Sequence, residues 1–444
     1  MVIYSISNSR SNSRCPRLKD NKKPKKGIDT PILHPSDKTL ISDIIFDMKI
    51  TVTVLFGLES LVREDLINIG YEREQITVSD GLVELTVPDD NWPLDVARVN
   101  MWVRRGERVF FEVGSFFADS FDSFFEETEK LSWNDYIPRG YEFIVNGYSR
   151  KSKLYGISAL QSLSKKAIVK SLCTARGIGD NGIISEDRNI GTVRIQFGIV
   201  EDKVRMMIDT SGDGLHKRGY RPLTHEAPIR ESLAAGMVSL ARYKPFGYEA
   251  LVDPFCGSGT ILIEAALMAA GAAPGRQRSF GYEALPYIGP KAKRESLDEA
   301  LSLEDLTPTD DAFYFGSDID PKAVSNAKVN AKAAGVEGFI RFSVADAETR
   351  TPSSLLKITG FDRQLILTNP PYGGRLMTPE EADEIYKMIS RTYLTNKGKC
   401  QKGIRLSVIS PDDTFERATG HKADKRTKLY NGNIKCQLNN YYKL

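Results

Sequence analysis

Two short segments, well separated in the chain, carry side chains whose types and spacing can do chemistry. They are Asp253-Pro254-Phe255-Cys256-Gly257-Ser258-Gly259-Thr260 and Asn369-Pro370-Pro371-Tyr372. In the first, Gly257 and Gly259 let the backbone turn sharply and approach a ligand closely. A helix opening near Thr260 would aim its first N–H groups at that ligand. Asp253, just before the turn, suits a ligand with an ammonium end. In the second segment a side-chain amide, a proline carbonyl and an aromatic ring share one tight loop. The Asn369 amide oxygen and the Pro370 carbonyl can accept both N–H bonds of an exocyclic amine. The lone pair of such an amine is conjugated with its ring, and the two hydrogen bonds localise it. Tyr372 can stack on the base and aim the nitrogen. Together the segments imply methyl transfer from S-adenosylmethionine to a nucleic-acid base nitrogen. The sulfonium is already an activated leaving group, so positioning and fixed dipoles would supply most of the catalysis. A base inside a duplex could not reach the loop, so the target must be unpaired or flipped.

A lone Gly-x-Gly is weak and more often marks a plain strand–helix turn. Two features strengthen it here: Asp253 ends its strand, and the next strand ends in an acid too. Asp318 ends a predicted strand at 313–318, where the ribose hydroxyls of a nucleoside can donate to it. Asp320 is the runner-up, but its simpler role is an N-cap before Pro321. Asp346, after a strand at 340–344, can meet an adenine amino group; its simpler role is a turn or cap. The expected cofactor set is Asp253, Phe255, Cys256, Gly257, Gly259, Thr260, Asp318, Ile319, Asp346, Ala347 and Asn369. The expected catalytic set is Asn369, Pro370 and Tyr372. A full GxGxxG is absent, which disfavours a dinucleotide, and no lysine follows the glycines as a phosphate-binding P-loop requires.

The elements that must position these loops read as alternating strands and helices. From about residue 248 the pattern is strand–turn–helix, with strands at 250–253, 313–318, 340–344, 364–368 and 403–409. This predicts a doubly wound, mostly parallel α/β sheet. A closing hairpin is expected over 427–438, with Asn431-Gly432 at its tip. Upstream, strands at 50–56, 75–78, 82–87 and 108–113 with helices from 57 and 92 predict a ferredoxin-like α+β layer. A second α/β layer follows, with helices at 120–131 and 155–175 and strands at 142–148, 192–200 and 203–209. The last two strands are expected to turn at Glu201-Asp202.

With 444 residues, 41% of them hydrophobic, the chain can bury a large core. Its net charge of +3 is close to neutral, so a nucleic-acid partner would be met by local basic patches. No apolar run approaches the ~20 residues of a membrane helix. The five cysteines, Cys15, Cys173, Cys256, Cys400 and Cys436, have no CxxC spacing. That argues against a zinc site or disulfide framework and fits a reducing cytoplasm. Residues 1–47 are polar and basic and read as a disordered extension or an upstream start, with Met48 as the natural beginning.

Over about residues 48–444 the chain resembles the bacterial THUMP-domain class I RNA methyltransferases, and among them the large-subunit ribosomal RNA guanine-N2 enzymes. The matching stretches are 53–66, 152–155, 209–212, 215–221, 253–260 and 369–372. His216-Lys217-Arg218-Gly219-Tyr220-Arg221 is the most family-specific of these; the cofactor motif is shared by many unrelated methyltransferases. The resemblance implies a ferredoxin-like domain at 48–115, an RNA-binding THUMP domain at 116–210 and a Rossmann-like methyltransferase domain at 211–444. It implies that Asp253, Gly257, Asp318, Asp346 and Asn369 line the cofactor and target site, with 23S rRNA as partner and no metal. Many ribosomal-type relatives carry a second methyltransferase domain beyond the one matched here. Lys153, Lys217, Arg218 and Arg221 are the expected phosphate contacts, against the blander reading of solvated or acid-paired side chains. A tRNA guanine methyltransferase, a DNA adenine methyltransferase with the same Asn-Pro-Pro-Tyr loop, and a non-catalytic RNA-binding factor are the alternatives.

Overall fold

The N-terminal half is built from strands whose side chains alternate between a buried and a wetter face, as a sheet covered on one side requires. In β3, Val83, Leu85 and Val87 are buried while Leu82, Glu84 and Thr86 are only partly so. The computed structural model describes residues 47–444 apart from 180–181, 222–228, 245–248, 308–312 and 373–376. The expected basic extension, except Asp47, lies outside the described residues.

The chain order is β1 (Asp47–Val54), α1 (Glu59–Asn68), β2 (Ile76–Ser79), β3 (Leu82–Pro88), α2 (Trp92–Trp102) and β4 (Gly106–Phe117). It continues with α3 (Phe121–Glu129), α4 (Trp133–Tyr136), β5 (Gly140–Arg150), α5 (Ile157–Ala175), β6 (Glu186–Val200) and β7 (Lys203–Asp209). All seven strands join one sheet in the order β2-β3-β1-β4-β7-β6-β5. β4 is the hinge of that order: its first half pairs with β1 and its second half with β7. The strand runs through residue 115, so the two layers read from sequence share a single sheet. β6 turns into β7 through Glu201 and Asp202, both at positive φ (52° and 62°), as a tight hairpin turn demands. Asp202 then accepts hydrogen bonds from Ser152 Oγ (2.7 Å) and the Lys153 N–H (2.9 Å), tying the segment after β5 to this turn.

The C-terminal half runs α6 (Glu231–Leu240), β8 (Ala250–Asp253), α7 (Thr260–Ala269), α8 (Gly289–Leu303), β9 (Tyr314–Asp318), α9 (Pro321–Ala334) and β10 (Ile340–Val344). It ends with α10 (Pro352–Thr359), β11 (Gln364–Thr368), α11 (Pro379–Tyr393), β12 (Ile404–Pro411), α12 (Thr414–Thr419), β13 (Lys425–Asn431) and β14 (Ile434–Tyr441). The sheet order is β10-β9-β8-β11-β12-β14-β13. The first five strands are parallel and β14 is antiparallel to β12. This is the class I methyltransferase arrangement. The strand order reverses between β8 and β11, and a crevice at their C-terminal ends is where open α/β sheets take ligands. Every residue of β8 and β11 is buried, as expected for central strands covered on both faces. The closing hairpin forms with Asn431 paired to Ile434, so its loop is Gly432-Asn433, one residue beyond the expected tip.

A buried polar knot joins the two halves. Glu264 on α7 is fully buried and lies 3.4 Å from Arg104 Nη1, 3.5 Å from Arg218 Nε and 3.0 Å from the donating Tyr220 hydroxyl. Arg104 also donates to the Ala272 carbonyl, and Arg218 donates to the Arg104 carbonyl. Burial pushes the Arg104 guanidinium down to about 10. Among the described residues no helix is long and apolar enough to cross a membrane, and no cluster of His, Cys, Asp and Glu is placed to hold a metal.

Candidate active site

Asp253 closes β8 and Thr368 closes β11, and the two meet across the switch point. Asp253 Oδ1 accepts from Thr368 Oγ1 at 2.7 Å and from the Phe255 N–H at 3.2 Å. The carboxyl is buried, and this pushes it up to about 7, with the nearby charge of Asp318 adding to the rise and the two hydrogen bonds opposing it. A cationic ligand group would reverse that penalty.

The turn after β8 has Gly257 at φ 50° and Gly259 at φ 79°, both in the left-handed region. At Gly259 a Cβ would lie 3.0 Å from Phe342 Cζ and 3.2 Å from Ala327 Cβ, so the turn packs tightly on its inner side. At Gly257 a Cβ would meet nothing within 4 Å, so the backbone there borders open space. The Gly257 N–H donates to Asp318 Oδ2 at 2.9 Å, and the Asp320 N–H donates to Asp318 Oδ1 at 3.0 Å. A carboxylate offers about four acceptor sites, and two remain for hydroxyl donors. Asp320 caps α9 by accepting from the Lys322 N–H at 2.8 Å, as its place before Pro321 predicts. Ile319 between them is 69% exposed, an apolar side chain at the strand ends that a flat ring could cover. Asp346 is exposed and caps the short turn at 347–349 through the Glu348 N–H (2.9 Å), while Ala347 is buried beneath it.

Asn369 follows β11 directly. Its Oδ1 is buried and accepts no hydrogen bond among the described residues. A buried acceptor left alone costs about 1–3 kcal/mol, a cost that a donor from a bound group would remove. Pro370 is buried. Tyr372 is half-buried against the cluster around Ile366, Tyr386 and Phe415, and its hydroxyl accepts from Asn431 Nδ2 at 2.5 Å. Burial raises the Tyr372 phenol far above its ordinary range. The ring is therefore tied down at its hydroxyl end by the closing hairpin.

Several expected site residues are engaged elsewhere. Thr260 is 1% exposed, and its hydroxyl is shared with Ser258 Oγ (3.0 Å) and Arg221 Nη1 (3.2 Å). Its side chain therefore serves the turn, and only its place at the N-terminus of α7 bears on a ligand. Cys256 is buried, its thiol is pushed up by burial, and its N–H donates to the Ser317 carbonyl at 2.9 Å. Phe255 is partly buried against the cluster that holds Tyr372.

The expected phosphate contacts divide in two. Arg218 is 2% exposed and spends its guanidinium on Glu264 and two backbone carbonyls, so it cannot reach a phosphate. Arg221 is turned inward too, 3.3 Å from Glu231 and bonded to the Ile229 carbonyl and Thr260. Both were misread because neighbours in sequence do not reveal a buried acid on another helix. Lys153 and Lys217 are exposed, each beside one acid, Asp119 at 3.0 Å and Asp213 at 3.3 Å. Sequence reasoning also passed over Thr368 and Asn431, the partners that orient Asp253 and Tyr372. A hydroxyl closing the strand before the asparagine was the one available hint.

Residues 218–440 match the model of the RMKL-like methyltransferase domain, and residues 49–110 match that of the RlmL ferredoxin-like domain. The chain is 34% identical to YpsC of Bacillus subtilis (strain 168), a protein named as an RNA methyltransferase, over 88% of this chain and 94% of that one. It is 32% identical to the ribosomal RNA large subunit methyltransferase K/L of Vibrio campbellii over 87% of this chain and 52% of that one. The chain thus spans about half the length of that K/L protein. Among solved structures, SMU.472, described as a methyltransferase and crystallised with SAH, superposes with a TM-score of 0.76 at 32% identity, covering 90% of this chain and 98% of that one. With a class I sheet, both motif loops at its strand ends, and a relative one-third identical along nearly its whole length, the chain belongs to the RMKL-like methyltransferase family.

Proposed function

We propose that this methyltransferase acts on RNA, transferring a methyl group from S-adenosylmethionine to the exocyclic N2 of a guanine, with 23S rRNA as the substrate. The observation that carries the reading is the buried Oδ1 of Asn369 at the end of β11, which has no hydrogen-bond partner among the described residues. In a loop that must grip an amine, that atom is the acceptor the chemistry requires. The residues at the strand ends fit the cofactor. Bound there, it supplies an electrophilic methyl on a sulfonium. Asp253 balances a positive charge, Asp318 has acceptor capacity left for two hydroxyls, Ile319 covers an apolar ring and Asp346 accepts from a ring amine. Asn369 and Pro370 would hold the target nitrogen by its two N–H groups while Tyr372 bounds the base. No residue need remove a proton before transfer. Catalysis on this reading is orientation plus fixed dipoles.

The RNA assignment is supported by the relatives named for RNA methylation, and the ribosomal one by the K/L protein. On this reading residues 116–210 serve as a THUMP-type RNA-binding module beside a ferredoxin-like domain at 48–115 and the methyltransferase domain from 211. The test is mass mapping of methylated nucleosides in total RNA and DNA from a deletion strain and its parent. Loss of N2-methylguanosine from one 23S site is the expected result. Loss from a tRNA would move the substrate to tRNA, and loss confined to DNA would overturn the RNA reading.

A further inference from the structure

Phe56 stands in the loop between β1 and α1 and is 41% exposed. Its ring centroid lies 5.9 Å from that of Tyr430 on β13, with the planes at 58°. The Arg150 guanidinium, at the end of β5, is 6.0 Å from the Phe56 ring and 5.6 Å from the Tyr148 ring. Three distant parts of the chain thus bring three aromatic rings and a guanidinium to one surface. The junction is built closely. Gly57, beside Phe56, has φ 94°, and a Cβ there would lie 2.3 Å from the Lys428 carbonyl oxygen, so only glycine lets this loop sit against β13. Tyr430 precedes Asn431 in β13, but their side chains leave the strand on opposite faces: Asn431, on the Leu429 side, holds the Tyr372 hydroxyl, while Tyr430 faces the other way.

We propose that Phe56, Tyr430 and Arg150 form a stacking platform for an unpaired base of the RNA substrate. This rests on the RNA reading above. Aromatic faces take any nucleobase by stacking, and an arginine over them adds cation–π attraction and a phosphate contact. The surroundings suit a polyanion. Arg150 and Lys428 are exposed, Lys428 sharing a face of β13 with Tyr430 opposite the buried Leu429, while Lys151 pairs with Glu201 at 3.4 Å. A protein partner would be expected to use a broader apolar patch, whereas here single rings stand beside a guanidinium and an ammonium, with the Glu59 carboxylate turned back onto the Gly57 N–H. A platform so placed would hold the single strand outside the reacting loop. It also gives the docking of the N-terminal sheet on the catalytic hairpin a purpose, since neither half alone contains the surface.

The test uses the full chain with Phe56→Ala, Tyr430→Ala, their double variant, Phe56→Leu and Arg150→Gln. Methyl transfer is measured with radiolabelled S-adenosylmethionine on total RNA from a strain lacking the gene. Stacking is followed by quenching of a single-stranded oligoribonucleotide that carries 2-aminopurine. Each alanine variant should raise KM for RNA roughly tenfold, the scale of one lost base–aromatic stack, with cofactor affinity and thermal melting unchanged. Quenching should fall in both and in Phe56→Leu, which keeps bulk but loses the ring. Should an alanine variant melt early, Phe56→Leu and Arg150→Gln carry the test. Unchanged KM and quenching in a folded double variant, while the parent methylates RNA, overturns the platform alone. Unchanged RNA kinetics together with loss of a co-purifying protein assigns the surface to a protein partner and also overturns it. A parent enzyme that methylates DNA and no RNA overturns the underlying reading, and the platform with it.

Discussion

The side-chain amide of Asn431, at the end of β13, donates a 2.5 Å hydrogen bond to the hydroxyl of Tyr372 in the Asn-Pro-Pro-Tyr loop. The closing hairpin therefore sets the direction of the ring proposed to bound the target base. Tyr372→Phe and Asn431→Ala should each cost about 1 kcal/mol of stability and lower kcat several-fold, without weakening cofactor binding. Because the two side chains act as one unit, the double variant should lose little more than either single one. A double-mutant cycle on kcat checks this, and fully additive losses would separate the two roles.

Asn369→Ala removes the buried acceptor that has no partner among the described residues. Cofactor affinity should stay near the parental value, since the amide is assigned to the target amine. The chemical step should slow by roughly 100- to 1,000-fold, the cost of deleting one preorganised dipole at a reacting centre. Single-turnover kinetics with saturating RNA would show it, and a parental rate would remove Asn369 from the chemistry.

Asp318→Ala should weaken S-adenosylmethionine binding by about 1.5–3 kcal/mol, the worth of hydrogen bonds to a charged acceptor. The Gly257 N–H also loses its partner, so the turn loosens. Calorimetry is the measurement, and undiminished affinity would mean that the ribose is held elsewhere.

Asp253 supplies a pH dependence whose sign follows from its burial. Its carboxyl is raised to about 7 in the free protein. The folded chain thus holds this proton more tightly than the unfolded one, so the group's contribution to stability is lost as pH rises toward 7. A cation bound beside it lowers its affinity for the proton. Cofactor affinity should therefore be flat above pH 7 and fall below it, by at most about tenfold per unit. Titrations across pH 5.5–8.5 (about three units) in buffers of different ionisation heat should detect proton release near the lower end, and Asp253→Asn should abolish it.

Arg218→Ala tests the corrected role of the family-specific segment. Removing one partner from a buried ion pair costs about 3–5 kcal/mol, here toward the lower figure because Arg104 stays beside Glu264. The loss should appear in urea unfolding. The salt dependence of RNA binding should keep its slope, since no phosphate contact has gone. A shallower slope in the variant would restore the phosphate assignment.

The elements that carry the chemistry were legible because their causes are local. β8, β10 and β11 occupy the expected residues, since a short apolar run ended by Asp, Ala-Asp or Thr-Asn can be read without its neighbours. The glycine turn, the Asp320 cap and the Glu201-Asp202 hairpin turn follow from backbone preferences of single residues. By contrast, β4 was read as six residues because its second half is less regular, and only its pairing with both β1 and β7 reveals a shared sheet. Arg218 reads from sequence as a phosphate contact because the charge that neutralises it, Glu264, lies 46 positions away on α7. Tyr372 looked free to stack because Asn431 lies 59 positions further on, in a hairpin that reaches the loop only through the sheet order. The sequence by itself determined which backbone bends sharply and which side chains are able to accept a cofactor or an amine. The tertiary structure alone decided which charges are buried with a partner and which face solvent. Pairing and desolvation depend on what the fold brings alongside, and local pattern carries no record of that.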